Sequence, residues 1–75
     1  QQQDDSEAIL DAAKYAKGVR ERIGLSQQEF SNRIEVSLET IRNWEQGKRS
    51  PTGAAKALLK ILDRAPEIAL LALAA

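Results

Sequence analysis

LSQQEFSNRIEVSLETIRNWE, residues 25 to 45, is the stretch that decides the fold. Ser26 is a good helix N-cap, and Glu29 three residues later completes a capping box. Leu25 before that cap and Phe30 at the fourth helical position form a hydrophobic staple. The device then repeats. Ser37 is a second N-cap, with Val36 before it and Ile41 four residues after it. Two stapled starts eleven residues apart leave room for about two helical turns and a short bend. The second of these helices, Leu38 to Gln46, is presented as an exposed rod. Its polar side chains are of the kind that read DNA base edges.

Ile41 and Trp44 lie three apart and pin that second helix to a core, which makes Trp44 a packing residue. Leu38, Glu39, Arg42 and Asn43 fall on the opposite face. Arg42 suits a bidentate pair with guanine, and Asn43 suits adenine. Glu39 can accept from cytosine, and Leu38 can touch a thymine methyl. The first turn, from Ser37 to Thr40, offers free N–H groups and the positive end of the helix dipole to a phosphate. Lys48 and Arg49, just past the stop signal Gly47, would flank the same groove as phosphate clamps. The bland alternatives are a solvated face, with Glu39 and Arg42 paired at i,i+3, and a soluble loop with no partner.

The unit resembles the helix-turn-helix of Xre/Cro-type DNA-binding domains. LSQQEFSNRI and VSLETIRNWEQGKRSP carry the likeness, which covers Val19 to Leu62. The tail GAAKALLKILDRAPEI adds a narrower likeness to HigA-like and MqsA-like antitoxins, which are autorepressors in toxin–antitoxin pairs. The resemblance implies a lambda-repressor-like fold and base reading by Leu38, Glu39, Arg42 and Asn43. It implies that Gln27, at the start of the preceding helix, contacts a phosphate. It also implies a structural ion pair between Arg20 and Glu45. Two residues depart from the family pattern. Ser31 stands where a small Ala usually lets the two helices approach, and being little larger it should preserve the crossing. Glu35 stands in the bend, where a left-handed Gly is usual.

Composition narrows the classes. Seventy-five residues make one domain, with 43% hydrophobic residues. There is no Cys, His or Met, which excludes disulfides, a Cys/His zinc site and His-based catalysis. No cofactor or metal is expected. The chain does not begin with Met, which points to a processed or truncated chain and leaves room for a missing N-terminal segment. No signal-peptide pattern is present. The longest unbroken apolar run, residues 68 to 75, is too short to span a bilayer, so no membrane partner is expected. The lack of cysteine fits a cytoplasmic protein, and the resemblance implies a prokaryotic one that joins the nucleoid when bound. Net charge is zero, but it is unevenly placed. Asp4, Asp5, Glu7 and Asp11 are the charges of residues 1 to 11, so residues 12 to 75 carry eleven bases against seven acids. A mildly basic body is what a phosphate backbone needs.

The rest of the chain is read as helix. Residues 1 to 5 have no apolar residue to bury and are predicted to be a disordered arm ahead of one domain over 6 to 75. Ile9, Ala12, Ala13, Ala16, Val19 and Ile23 form one helical face, capped by Gly24. Gly18 weakens that helix and marks either a bend or the start of the compact part. The helix after the turn runs from Gln27 to about Ile34, with Phe30 and Ile34 inward. A fourth helix is predicted from Pro51 or Thr52 to Arg64. Ala55, Leu58, Leu59 and Leu62 lie inside it, and Lys56, Lys60 and Asp63 outside. A fifth, from about Glu67 to Leu73 with Pro66 in its first turn, is apolar all round. A buried helix or a subunit interface explains such a composition. Ile68, Leu70, Leu71 and Leu73 are the predicted homodimer contacts. The fold class is therefore all-α, a compact five-helix domain.

The function expected is a sequence-specific DNA-binding repressor, homodimeric, on a double-stranded DNA operator. The alternative is an antitoxin module that grips a cognate toxin, with DNA autoregulation secondary. An enzyme is not expected, because no nucleophile–base pair is visible.

Overall fold

The computed structural model describes residues 5–74. Within them lie five α-helices and no strand: α1 (Asp5–Ile23), α2 (Gln27–Ile34), α3 (Leu38–Gln46), α4 (Gly53–Arg64) and α5 (Pro66–Ala74). Of the predicted disordered arm, residues 1 to 4 lie outside the described residues. Asp5, the last residue of the expected arm and one of the two starts expected for the first helix (Asp5 or Ser6), opens α1.

Side-chain caps set the two starts that the sequence marks. The Glu29 N–H donates to Ser26 Oγ at 3.1 Å, and the Ser26 N–H donates back to Glu29 Oε1 at 2.9 Å. At α3 the Thr40 N–H donates to Ser37 Oγ at 3.1 Å. The stapling residues Leu25 and Val36 are half-buried and pack against the core. Gly24 stops α1 with a φ of 89°, its N–H donating to the Arg20 carbonyl at 3.0 Å. α1 runs through Gly18 as one continuous helix.

The bend between α2 and α3 contains a strained residue. Glu35 has φ 62° and ψ 39°, and its N–H donates to the Ser31 carbonyl. It is the non-glycine residue with positive φ among those described. An L-residue there costs roughly 1–2 kcal/mol. Glu35→Gly should therefore raise stability by about 1 kcal/mol, after part of the gain is lost to a more flexible unfolded chain. Urea midpoints of the two proteins measure this. A clear fall in midpoint would show that the Glu35 side chain contributes more than its backbone costs.

All five helices contribute to one core: Ala16 and Val19 from α1, Phe30 and Ile34 from α2, Ile41 and Trp44 from α3, Leu59 and Leu62 from α4, and Ala69 from α5. Trp44 is buried, as its spacing from Ile41 predicts. Ser31 is buried too, and its Oγ donates to the Gln28 carbonyl at 2.9 Å, so the hydroxyl is satisfied within its own helix. That satisfied hydroxyl accounts for how α2 and α3 cross with Ser in place of Ala.

Two expectations about the second half change. α4 begins at Gly53, one residue later than the latest predicted start, with Thr52 in the N-cap position but making no side-chain cap. α5 is a residue longer at each end, and at its start Pro66 occupies the first helical position. Asp63 lies outside the apolar stripe as expected, but it is not free in solvent. It is half-buried and joins α4 to α1, accepting from Arg22 Nη2 at 2.6 Å and from the Tyr15 hydroxyl at 3.4 Å. The expected inner stripe of α4 stands, with Leu59 and Leu62 fully buried and Ala55 and Leu58 partly so.

Candidate nucleic-acid interface

α3 is held by α1 on one side and α2 on the other, and it presents its remaining face to solvent. Glu39 and Arg42 are exposed on that face, and Leu38 and Asn43 are half-buried beside them. Among the described residues, Glu39 and Arg42 form no ion pair with each other, so the paired solvated face considered from sequence is absent. At the first turn, the Ser37 and Thr40 hydroxyl oxygens lie 2.7 Å apart. One O–H is used in that contact and the other remains available to an acceptor. With Thr40 N–H capped, the N–H groups of Leu38 and Glu39 have no partner within the helix. A phosphate at this end would meet donors and a positive dipole end.

The far end of α3 fixes the basic loop. Gly47 takes φ 77°, and its N–H reaches the Trp44 carbonyl at 3.2 Å. The Asn43 carbonyl accepts from the Lys48 N–H at 2.9 Å and the Arg49 N–H at 3.3 Å. This is a Schellman-type closure. It ties both cations to the C-terminal end of the helix that carries Arg42. Lys48 and Arg49 are exposed, and neither forms an ion pair among the described residues. A Cβ on Gly47 would lie 3.4 Å from Ile9 Cγ2, so the N-terminal half of α1 covers this closure from behind.

Behind the face lies a polar network. Arg20 Nε donates to Glu45 Oε2 at 2.6 Å and Arg20 Nη2 to Glu45 Oε1 at 2.9 Å. Arg20 Nη1 also donates to the Leu25 carbonyl at 2.9 Å, and Gln27 Nε2 donates to Glu45 Oε1 at 3.0 Å. One forked pair thus joins the end of α1, the loop after it, the start of α2 and the end of α3. Burial alone would raise the Glu45 carboxyl. The hydrogen bonds from Arg20 and Gln27 and the charges of Arg20 and Lys17 outweigh it and hold the group below the usual range. The Gln27–Glu45 bond was not read from sequence, since nothing in a string marks two residues eighteen apart as partners. It leaves Gln27 with a second amide hydrogen for a phosphate.

A helix-turn-helix family profile matches residues 17–68, more than half of the chain. The chain belongs to the helix-turn-helix family. Antitoxin HigA-2 of Vibrio cholerae serotype O1 is 41% identical to this helix-turn-helix protein over 49 residues, which is 65% of the chain. The match spans 47% of that relative's own length. No solved structure matches significantly. The profile covers α2, the bend and α3, so the stapled helix pair read from Ser26 and Ser37 is the centre of the family match. Among the described residues no helix is long and apolar enough to cross a membrane.

Proposed function

We propose that this helix-turn-helix protein is a sequence-specific DNA-binding regulator, a homodimeric repressor that inserts α3 into the major groove. One observation carries the reading. The Asn43 carbonyl anchors Lys48 and Arg49 at the end of the helix whose open face carries Arg42. Cations that reach phosphates and a side chain that reads base edges are thereby held in one rigid unit. In this reading Leu38, Glu39, Arg42 and Asn43 read bases, and Gln27, Ser37, Thr40, Lys48 and Arg49 hold phosphates. Two copies joined through α5 would place their α3 helices in successive major grooves about 34 Å apart. The cellular place would be the prokaryotic cytoplasm.

The dimer contacts divide unevenly. Ile68 and Leu71 keep 72% and 73% of their surface exposed, whereas Leu70 and Leu73 are half-buried and pack against their own core. A partner would therefore cover chiefly Ile68 and Leu71, each worth roughly 1.5–3 kcal/mol when buried. Sedimentation should show a dimer at micromolar concentration. A monomer throughout would remove the homodimer.

The relative named HigA-2 favours a second role beside the first, an antitoxin that binds a cognate toxin protein. Selection of duplexes from a random pool separates the roles. The DNA reading expects an enriched inverted repeat with half-sites one helical turn apart. No enrichment, together with co-purification of a stable protein partner, would leave only the antitoxin role.

A further inference from the structure

Between α2 and α5 runs an open groove of about 410 Å³, lined by Arg33, Glu67, Leu70, Leu71 and Ala74. Its polar members are one cation and one anion. Arg33 lies in the last turn of α2 and Glu67 in the first turn of α5. Among the described residues the ion pairs are Arg20–Glu45 and Arg22–Asp63, and neither Arg33 nor Glu67 belongs to one. On α5, the positions 67, 70, 71 and 74 recur at three- and four-residue steps and form a single stripe.

We infer that this groove receives α5 of a second copy of the chain, with Arg33 of each copy paired to Glu67 of the partner subunit. The inference rests on the homodimer reading and adds to it the pair that sets register and partner choice. A two-fold interface uses the same patch on both copies, so the patch must be complementary to itself. This one is. It offers a projecting Leu71, a floor of Leu70 and Ala74, and one charge of each sign. A groove for an acidic or a basic partner would carry charge of one sign. The dimensions allow the pairing. Nine-residue α5 is roughly 13 Å long, so two antiparallel copies overlie each other end to end. Arg33 and Glu67 line the same groove, so a partner α5 seated there would bring its own Glu67 to the Arg33 side. The placement also keeps the α3 faces open, because α5 packs on α2 and α4 while α3 packs on α1 and α2.

Charge reversal tests the pairing on the full chain. Arg33→Glu alone sets two acids against each other twice in its homodimer, and Glu67→Arg alone sets two bases against each other twice. Each should weaken dimerisation roughly tenfold, measured by sedimentation. Mixing the two single variants should restore dimerisation, because both cross-pairs are then of opposite sign. The double variant should dimerise with itself and exclude the wild type. Thermal midpoints and helical circular dichroism establish that each single variant is folded, and restoration in the mixture is itself proof of two competent chains. The outcomes separate cleanly. A monomeric wild type sinks the dimer and this inference together. A dimeric wild type whose single variants dimerise unchanged overturns the pairing and leaves the dimer standing on Ile68 and Leu71. Weakened single variants that fail to complement each other also overturn it.

Discussion

Arg20→Ala is expected to remove about 3 kcal/mol of stability, the low end of what breaking a buried ion pair costs. The pair is mostly sequestered, with 13% of the Arg20 side chain and 5% of the Glu45 side chain exposed. Removing Arg20 leaves the Glu45 carboxylate with Gln27 as its side-chain donor, and it strips the Leu25 carbonyl of the Arg20 Nη1 hydrogen bond. A domain this small has little stability to lose. The buried Trp44 is the single tryptophan, so its fluorescence follows unfolding in urea directly. A loss below about 1 kcal/mol would mean the pair behaves like a surface salt bridge.

The same variant has a distinct pH signature. In the wild type the Glu45 carboxyl sits below its unfolded value. It thus contributes stability that is full above about pH 4.3 and disappears as pH falls through the folded value. Glu29 adds to this acid limb, since its hydrogen bonds with the Ser26 backbone and side chain lower its carboxyl as well. Without Arg20, burial is opposed by the Gln27 hydrogen bond and the Lys17 charge alone, so the Glu45 carboxyl is expected to rise from its depressed position. The less a carboxyl is depressed in the fold, the less stability is lost as pH falls through the folded value. The acid limb of Arg20→Ala should therefore be flatter than that of the wild type. An unchanged limb would mean that Glu45 is not held by Arg20.

Arg42→Ala and Lys48→Ala should differ in kind when DNA binding is measured. Arg42 follows the buried Ile41 and is exposed on the open face of α3. If it meets a guanine edge, its loss should cost about 1–3 kcal/mol per half-site on the preferred duplex and relax the preference at one base pair. Scrambled DNA should lose much less. Lys48 sits past Gly47 with its backbone tied to Asn43, at the rim of the helix. Lys48→Ala should weaken both duplexes about equally and reduce the salt slope by roughly one unit per phosphate contact. Salt titrations of both variants on a preferred and a scrambled duplex decide the matter. Equal loss on both duplexes for Arg42→Ala would mean that α3 does not read bases through it. No change in either variant would end the DNA-binding proposal.

The sequence by itself determined where the helices of the central pair begin and where α1 and α3 stop. Capping depends on residues three or four apart, so Ser26 with Glu29, Ser37 as the second N-cap, and Gly24 and Gly47 were all legible in the string. The core was legible for the same reason, since the periods through Val19, Phe30, Ile41 and Leu59 are local. So was the open face of α3, as the complement of Ile41 and Trp44. The left-handed Glu35 was legible by resemblance alone, because its own side chain argues for an ordinary helix. Tertiary structure decided what joins distant segments: the Gln27–Glu45 bond, the Arg22–Asp63 pair, and the groove lined by both Arg33 and Glu67. It also decided the rotation of α5. Its run of apolar residues has no polar face to say which way it turns, so only packing could bury Ala69 and leave Ile68 and Leu71 exposed.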